Sequence, residues 1–345
     1  MDIDFERPIG LALGSGAARG WSHIGVLRAL NEAGIEPEIV SGSSAGAVVG
    51  AFYAANQLDA FESWVRKLDR RQIMGYLDPT LRGGLLRTRK IFDALSEHLP
   101  DRPIESLPRQ FSAVAADLST GREVWLRDGS LMAALRASIA LPGLVKPEYL
   151  HDSWLVDGGL VNPVPVSLCR AMGARSVIAV DLNTTLLGRR FSAIEQPGVV
   201  EPEVNEIEQR KEADGVLVRA VIDALDDDAL PLAPVGIKGA GGLLSSPRAA
   251  RFISGFQGIA ADLLDQFGFE ESAEPSGPAT PSIYEVITNS INIMQTRIGR
   301  SRLAGDPPEL LITPRLQDFG LLEFDRANEA IAIGRRAVAH ALAAR

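Results

Sequence analysis

Cysteine is nearly missing from this chain: one residue, Cys169, in 345. A lone thiol excludes an intramolecular disulfide framework. Its setting in "PVSLCRAMGA", an apolar helix-like stretch, reads as a buried, inert side chain. Histidine is scarce as well. His23, His98, His151 and His340 have neither zinc-ligand spacing nor cysteine company, so no metal and no cofactor is expected. A basic surplus is lacking: 35 Lys and Arg stand against 44 Asp and Glu, a net charge of −9, which argues against nucleic acid as a partner. No apolar run approaches the ~18 residues of a membrane span. The opening "MDIDFERPIG" is acidic and carries no secretory signal, so the expected location is cytoplasmic.

What remains is an ordinary globular composition, 46% hydrophobic, long enough for one large α/β domain or two small ones. "PIGLAL" (8–13) reads as a buried strand, "GSGAARG" (14–20) as a turn, and "WSHIGVLRALNEAG" (21–34) as an amphipathic helix closed by Gly34. "PEIV" gives a second strand, and "RSVIAVDL" (175–182) follows the helix-like "PVPVSLCRAMGA". Such alternation predicts a mainly parallel sheet with helices on both faces, a three-layer α/β/α architecture. "QFSAVAADLSTGREVWLRDG" (110–129) predicts an antiparallel hairpin turning at Ser-Thr-Gly.

After about residue 183 the composition changes. Residues 184–280 read as an insertion with an acidic, helical stretch (201–228), an apolar glycine-rich segment "PLAPVGIKGAGGLL" (231–244) and a linker-like run (270–281). Residues 282–345 read as helix, strand and helix rejoining the sheet, completing one domain over 1–345. The helix begins with a capping box, Ser282 and Glu285, and its apolar face is Ile283, Val286, Ile287, Ile291, Met294 and Ile298.

Three motifs carry chemistry. "GSSAG" (42–46) enters from a strand and leaves into an Ala-rich helix, the pattern of a nucleophile elbow. Gly42 and Gly46 let the chain turn sharply and expose the Ser44 hydroxyl. "GSGAARG" suits a dinucleotide fingerprint poorly, because Arg19 stands where a third glycine belongs and no acid ends the second strand. Its small residues Gly14, Ser15, Gly16 and Ala17, ahead of Arg19 and Gly20, leave N–H groups at a helix start for a negative oxygen. "WLVDGGLVNPVPV" ends a strand in Asp157, with Gly158 and Gly159 forcing a turn and Asn162 and Pro163 opening a helix. Asp157 buried beside Ser44 would take the hydroxyl proton directly, without an imidazole. A Ser-acid-His triad would need His340, five residues from the C-terminus in a helix-like stretch. A regulatory module binding an anion or nucleotide at the loop, with Ser44 merely structural, is the reading from another class.

In this order, with 113 positions between Ser44 and Asp157, the motifs resemble the patatin-like phospholipase family. "LRASIALPGLVKP" (135–147) and "SRLAGDPPELLITP" (301–314) extend the likeness, the latter toward a stand-alone bacterial branch akin to the catalytic domain of neuropathy target esterase. The resemblance covers 8–182 and 282–335. It implies a lipid acyl hydrolase acting on lipid or lysolipid, with Ser44 as nucleophile, Asp157 as base, and N–H groups around Gly16 and Ala17 as oxyanion donors. Arg19 falls on the family's arginine, either meeting a lipid phosphate or pinning the loop. Two of the family's loop glycines are Ser15 and Ala17 here, and each Cβ restricts left-handed backbone. The segment 231–244, ending in Leu243 and Leu244, is expected beside the mouth of the site, as a lid or a contact with a membrane surface; the alternative is a loop packed against the core.

Overall fold

The first strand is five apolar residues without a polar break, as a strand covered on both sides must be. In β1 (Ile9–Leu13) successive side chains leave opposite faces of the sheet. Leu11 and Leu13 join one apolar core, with Ile178 and Val180 of β9 (Ser176–Val180). Ala12 joins another, with Val177 and Ala179. Each large fully buried side chain contributes on the order of 1.5–3 kcal/mol.

The computed structural model describes residues 5–76, 78–79, 86–87, 89–183 and 283–344. By contact the chain divides into two units, Met1–Leu225 with Asn292–Arg345, and Asp226–Ile291. Of the second, only 283–291 lie among the described residues. The expectations for 201–228, 231–244 and the Ser282 end of the capping box fall outside them.

The main sheet has the order β10-β9-β1-β2-β5-β8-β7, with β6 also on β5. Strands β2 (Ile39–Ser43), β5 (Gln110–Asp117), β9 and β10 (Leu310–Ile312) run parallel in their pairings with β1 and one another. Strands β6 (Glu123–Leu126), β7 (Glu148–Leu150) and β8 (Ser153–Asp157) pair antiparallel. The larger core takes in α1 (Ser22–Glu32), α2 (Ala45–Ala54), α3 (Leu58–Val65), α6 (Leu131–Ser138) and α9 (Ala327–Ala343). The smaller takes in α7 (Val166–Ala171) and Leu303 of α8 (Ile283–Gly305). The expected layering is therefore present, helices lying on both faces of a mostly parallel sheet. The remaining described elements are α4 (Arg70–Tyr76), the two-residue pair β3 (Asp78–Pro79) and β4 (Leu86–Arg87), and α5 (Arg89–His98).

Two details position the site. A Cβ on Gly25 of α1 would overlap the Ile331 carbonyl of α9, and one on Gly334 of α9 would overlap the Ser22 carbonyl, so these helices cross with backbones touching. The second is the traffic along β5. Ala113 and Val114 pair with both β2 and β6, which must therefore lie on opposite edges. Ala115 and Ala116 pair with both β6 and β8, so β8 shares the edge of β2. β2 and β8 approach end to end, and their last residues, Ser43 and Asp157, pair with the adjacent Val114 and Ala115.

β8 runs against β5 and reaches the site from beyond the sheet's carboxyl edge. Two expectations need correction. Asn162 and Pro163 open no α-helix: a short 3-10 turn, Gly158–Leu160, follows Asp157, and α7 starts at Val166 after Pro165. In α8, Val286 and Met294 are exposed, while Ile291, Gln295, Thr296 and Gly299 are buried. Among the described residues no helix is long and apolar enough to cross a membrane.

Candidate active site

The elbow is built by excluded volume. β2 ends at Ser43 and α2 begins at Ala45, leaving Ser44 alone to reverse the chain, with φ 55° and ψ −121°. A positive φ is costly for a residue with a Cβ, about 1–3 kcal/mol. The surroundings enforce it. A Cβ on Gly42 would overlap the backbone of Ala47, and one on Gly46 would overlap the carbonyl of Leu13. The Ser44 N–H donates to the buried Ser138 hydroxyl at 2.9 Å.

Ser44 Oγ donates to Asp157 Oδ2 at 2.6 Å. The other carboxylate oxygen, Oδ1, accepts from the Gly159 N–H at 2.7 Å, which fixes the plane of the group. Gly158 passes so close that a Cβ there would overlap the Val114 carbonyl. Asp157 is 1% exposed. Burial pushes its carboxyl up to about 6, against the hydrogen bonds from Ser44 and Gly159, which favour the charged form.

The glycine loop joins β1 to a 3-10 turn, Ala17–Trp21, that runs into α1. Two of its N–H groups are engaged within the chain. Gly14 N–H donates to the Val180 carbonyl at 3.0 Å and Ser15 N–H to the Pro163 carbonyl at 2.9 Å. The N–H groups of Gly16 and Ala17 have no partner among the described residues. Of the two positions with an added Cβ, Ala17 alone takes left-handed backbone, at φ 49°. Ser15 does not, so its side chain costs no strain there. Gly20 has to be small, because a Cβ would overlap that of Ala45 in the elbow.

Arg19 is 1% exposed. Its Nε donates to the Gly16 carbonyl and its Nη2 to Asn292 Oδ1, both at 3.1 Å. His23 is fully buried behind the loop, with Nε2 2.8 Å from the Gly14 carbonyl. Burial lowers its pKa to about 4, against the bond to Gly14, so near neutrality it is uncharged and donates. The C-terminal region also reaches the loop, since Ala18 N–H donates to the Leu321 carbonyl at 3.0 Å and Trp21 Nε1 to the Phe324 carbonyl at 3.1 Å.

The structure brings Ser44 and Asp157 together and sets both beside the loop: a Cβ on Gly159 would lie 2.9 Å from Asp157 Oδ1 and 3.0 Å from the Ser15 Cβ. It does not bring His340, which is exposed on α9, or His151, which sits in the turn between β7 and β8 at φ 52°. Cys169 is buried beside the Ser41 hydroxyl, and burial pushes its thiol up to about 12. Sequence reasoning passed over Ser138, Asn183, Asn292, Gln295 and Thr296. Small and polar residues recurring at 292, 295, 296 and 299, about one helical turn apart, were the available signal.

A family model described as patatin-like phospholipase matches residues 11–170. An uncharacterized NTE family protein of Mycobacterium tuberculosis is 37% identical over 354 residues, spanning 97% of this chain and 91% of that one. A patatin-like phospholipase domain-containing protein of Caenorhabditis elegans is 37% identical over 186 residues, 51% of this chain and 14% of that protein. Patatin-like phospholipase domain-containing protein 6 of Mus musculus is 34% identical over 184 residues, with the same two shares. The matched span contains the loop, the elbow and the strand that ends in Asp157. The chain belongs to the patatin-like phospholipase family of lipid hydrolases, on its NTE side.

Proposed function

We propose that the protein hydrolyses carboxylic esters of lipids, as a phospholipase A or lysophospholipase-type acyl hydrolase, through a Ser44–Asp157 dyad. The observation that carries this reading is the 2.6 Å hydrogen bond from Ser44 Oγ to a buried carboxylate. Asp157 takes the hydroxyl proton as Oγ attacks the acyl carbonyl. The new C–O bond places negative charge on the carbonyl oxygen, which the N–H groups of Gly16 and Ala17 receive. Collapse breaks the bond to the alcohol, and the proton on Asp157 goes to the departing oxygen. Water then repeats the cycle on the acyl-enzyme and releases the fatty acid.

The raised affinity of Asp157 for protons suits this work, since a base with an ordinary carboxylate value would bind the serine proton too weakly. A triad through His340 has no support in an exposed residue of α9. Arg19, turned inward onto the Gly16 carbonyl, supports the loop in this reading. The substrate is met from the aqueous, cytoplasmic side of a membrane surface.

A fluorophosphonate probe tests the proposal. It should modify Ser44 in the parent, located by peptide mass spectrometry, and leave Ser44→Ala untouched. Incubation with a lipid extract should release free fatty acid. A protein that is neither labelled nor active on any ester would instead be a binding module.

A further inference from the structure

The N–H groups of Gly16 and Ala17, without a partner among the described residues, belong to peptide planes whose opposite ends are held. A trans peptide points its C=O and N–H in opposite directions. Whatever grips the Ser15 carbonyl therefore aims the Gly16 N–H, and whatever grips the Gly16 carbonyl aims the Ala17 N–H. Arg19 does the second. The first falls to a residue beyond the span that the family model matches: Asn183 Nδ2 donates to the Ser15 carbonyl at 3.1 Å.

We infer that Asn183, held by Gln295, is a positioning residue that aims the Gly16 N–H at the developing oxyanion. Asn183 Nδ2 also lies 3.2 Å from Ser15 Oγ and 3.4 Å from Gln295 Oε1. With three oxygens around it, the amide has one orientation free of oxygen–oxygen repulsion, nitrogen toward the loop. Ser15 Oγ donates to the same Gln295 oxygen at 3.2 Å. Ser15 is thus held at its N–H, its carbonyl and its hydroxyl, a degree of restraint that glycine at this position would lack. Asn183 is itself pinned, its N–H donating to Asp181 Oδ1 at 2.8 Å and its carbonyl accepting from Thr296 Oγ1 at 3.3 Å. Ser15, Asn183 and Gln295 are all at most 5% exposed, where a hydrogen bond is strongest and its loss most costly.

The inference rests on the hydrolase reading and sharpens it. In the full chain, Asn183→Ala removes the donor and Gln295→Met removes the residue that holds it while keeping its bulk. On a soluble neutral ester, Asn183→Ala should lower kcat by roughly 10²-fold and Gln295→Met by about tenfold, a scale set by removal of one oxyanion donor. KM should stay within about threefold, because the bond acts on the transition state and not on the bound ester. A trifluoromethyl ketone, whose adduct with serine carries the oxyanion, should lose affinity by the factor that kcat loses. The acid limb of the pH profile should not move. Folded Asn183→Ala with parental kcat and ketone affinity would overturn the inference and leave the hydrolase reading standing. Should Asn183→Ala fail to fold, the same criteria apply to Gln295→Met. A parent that neither labels nor turns over would overturn both.

Discussion

Around Ser44 the chain is held by contact, and around Gly16 it is held by hydrogen bonds. At the elbow, Gly42, Gly46 and Gly158 each lie where a Cβ would overlap backbone, and Ser44 takes its strained conformation because nothing else fits. At the loop, His23, Arg19 and Asn183 grip three successive carbonyls, of Gly14, Gly16 and Ser15. Repulsion rises steeply with approach and is encoded by residues near in sequence. Hydrogen bonds are softer and bring in partners from 168 and 280 positions away. One half of the site is therefore rigid and local, the other adjustable and distributed.

The dyad where the two halves meet should give the largest effect. Ser44→Ala and Asp157→Asn should each lower kcat by on the order of 10⁴-fold or more, with the double variant losing little beyond either, since the pair acts as a unit. Additive losses on a model ester would break the dyad. Next comes the contact-held half. Gly46→Ala forces a methyl group onto the Leu13 carbonyl and should cost about 3 kcal/mol or more in urea unfolding, as overpacking against backbone does. A well-folded, fully stable Gly46→Ala would show that the elbow is not held by volume. The hydrogen-bonded half should respond in rate and hardly in stability. Arg19→Ala should lower kcat by about tenfold, equally on phospholipid and on a neutral short-chain ester, because it removes one of the two bonds on the Gly16 carbonyl and leaves the other, from the Arg19 N–H, in place. A loss confined to phospholipid would assign Arg19 to the substrate's phosphate instead.

The smallest effect is a matter of pH. The proposed mechanism needs ionised Asp157, so kcat/KM should fall about tenfold per pH unit below about 6, two units above an ordinary aspartate limb. An acid limb near 4 would place the carboxylate in water. The linked stability has a definite sign. Asp157 has its folded-state pKa raised, so its burial penalty, about 3 kcal/mol, appears as pH rises from about 4 to about 6. His23 has its folded-state pKa lowered, so the stability it contributes is full above 6.5 and is lost as pH falls to about 4. These contributions run in opposite directions across the same window. Activity should therefore change there far more than the part of stability these two residues set.

The same division explains what was legible in the sequence. Strands β1 and β2, helix α1 and the β5–β6 hairpin follow from periodicity and turn residues. Ser44 and Asp157 stand out because the glycines that make room for them are their neighbours in the chain. The direction of β8 was not legible, since an apolar run ending in Asp-Gly-Gly looks alike from either end of a sheet. Nor was the buried side of α8: its apolar spacing pointed to Val286 and Met294, whereas the helix lays Asn292, Gln295 and Thr296 on a polar loop. Ser138 and Asn183 carry no local pattern, because their partners are chosen by the fold.

The end-to-end meeting of β2 and β8 makes β5 a ruler. The two side chains of the proposed dyad are 113 positions apart along the chain, yet their separation in space is set by one step of β5, from Val114 to Ala115. Everything between Asp117 and Ser153 can lengthen or shorten without changing that step, as long as β8 docks in the same register. A single residue inserted between Val114 and Ala115 would do what no surface insertion does, moving Asp157 by about 3.3 Å and turning it to the opposite face. The distance from Ser44 to Asp157 is thus counted out on a strand that contributes neither residue.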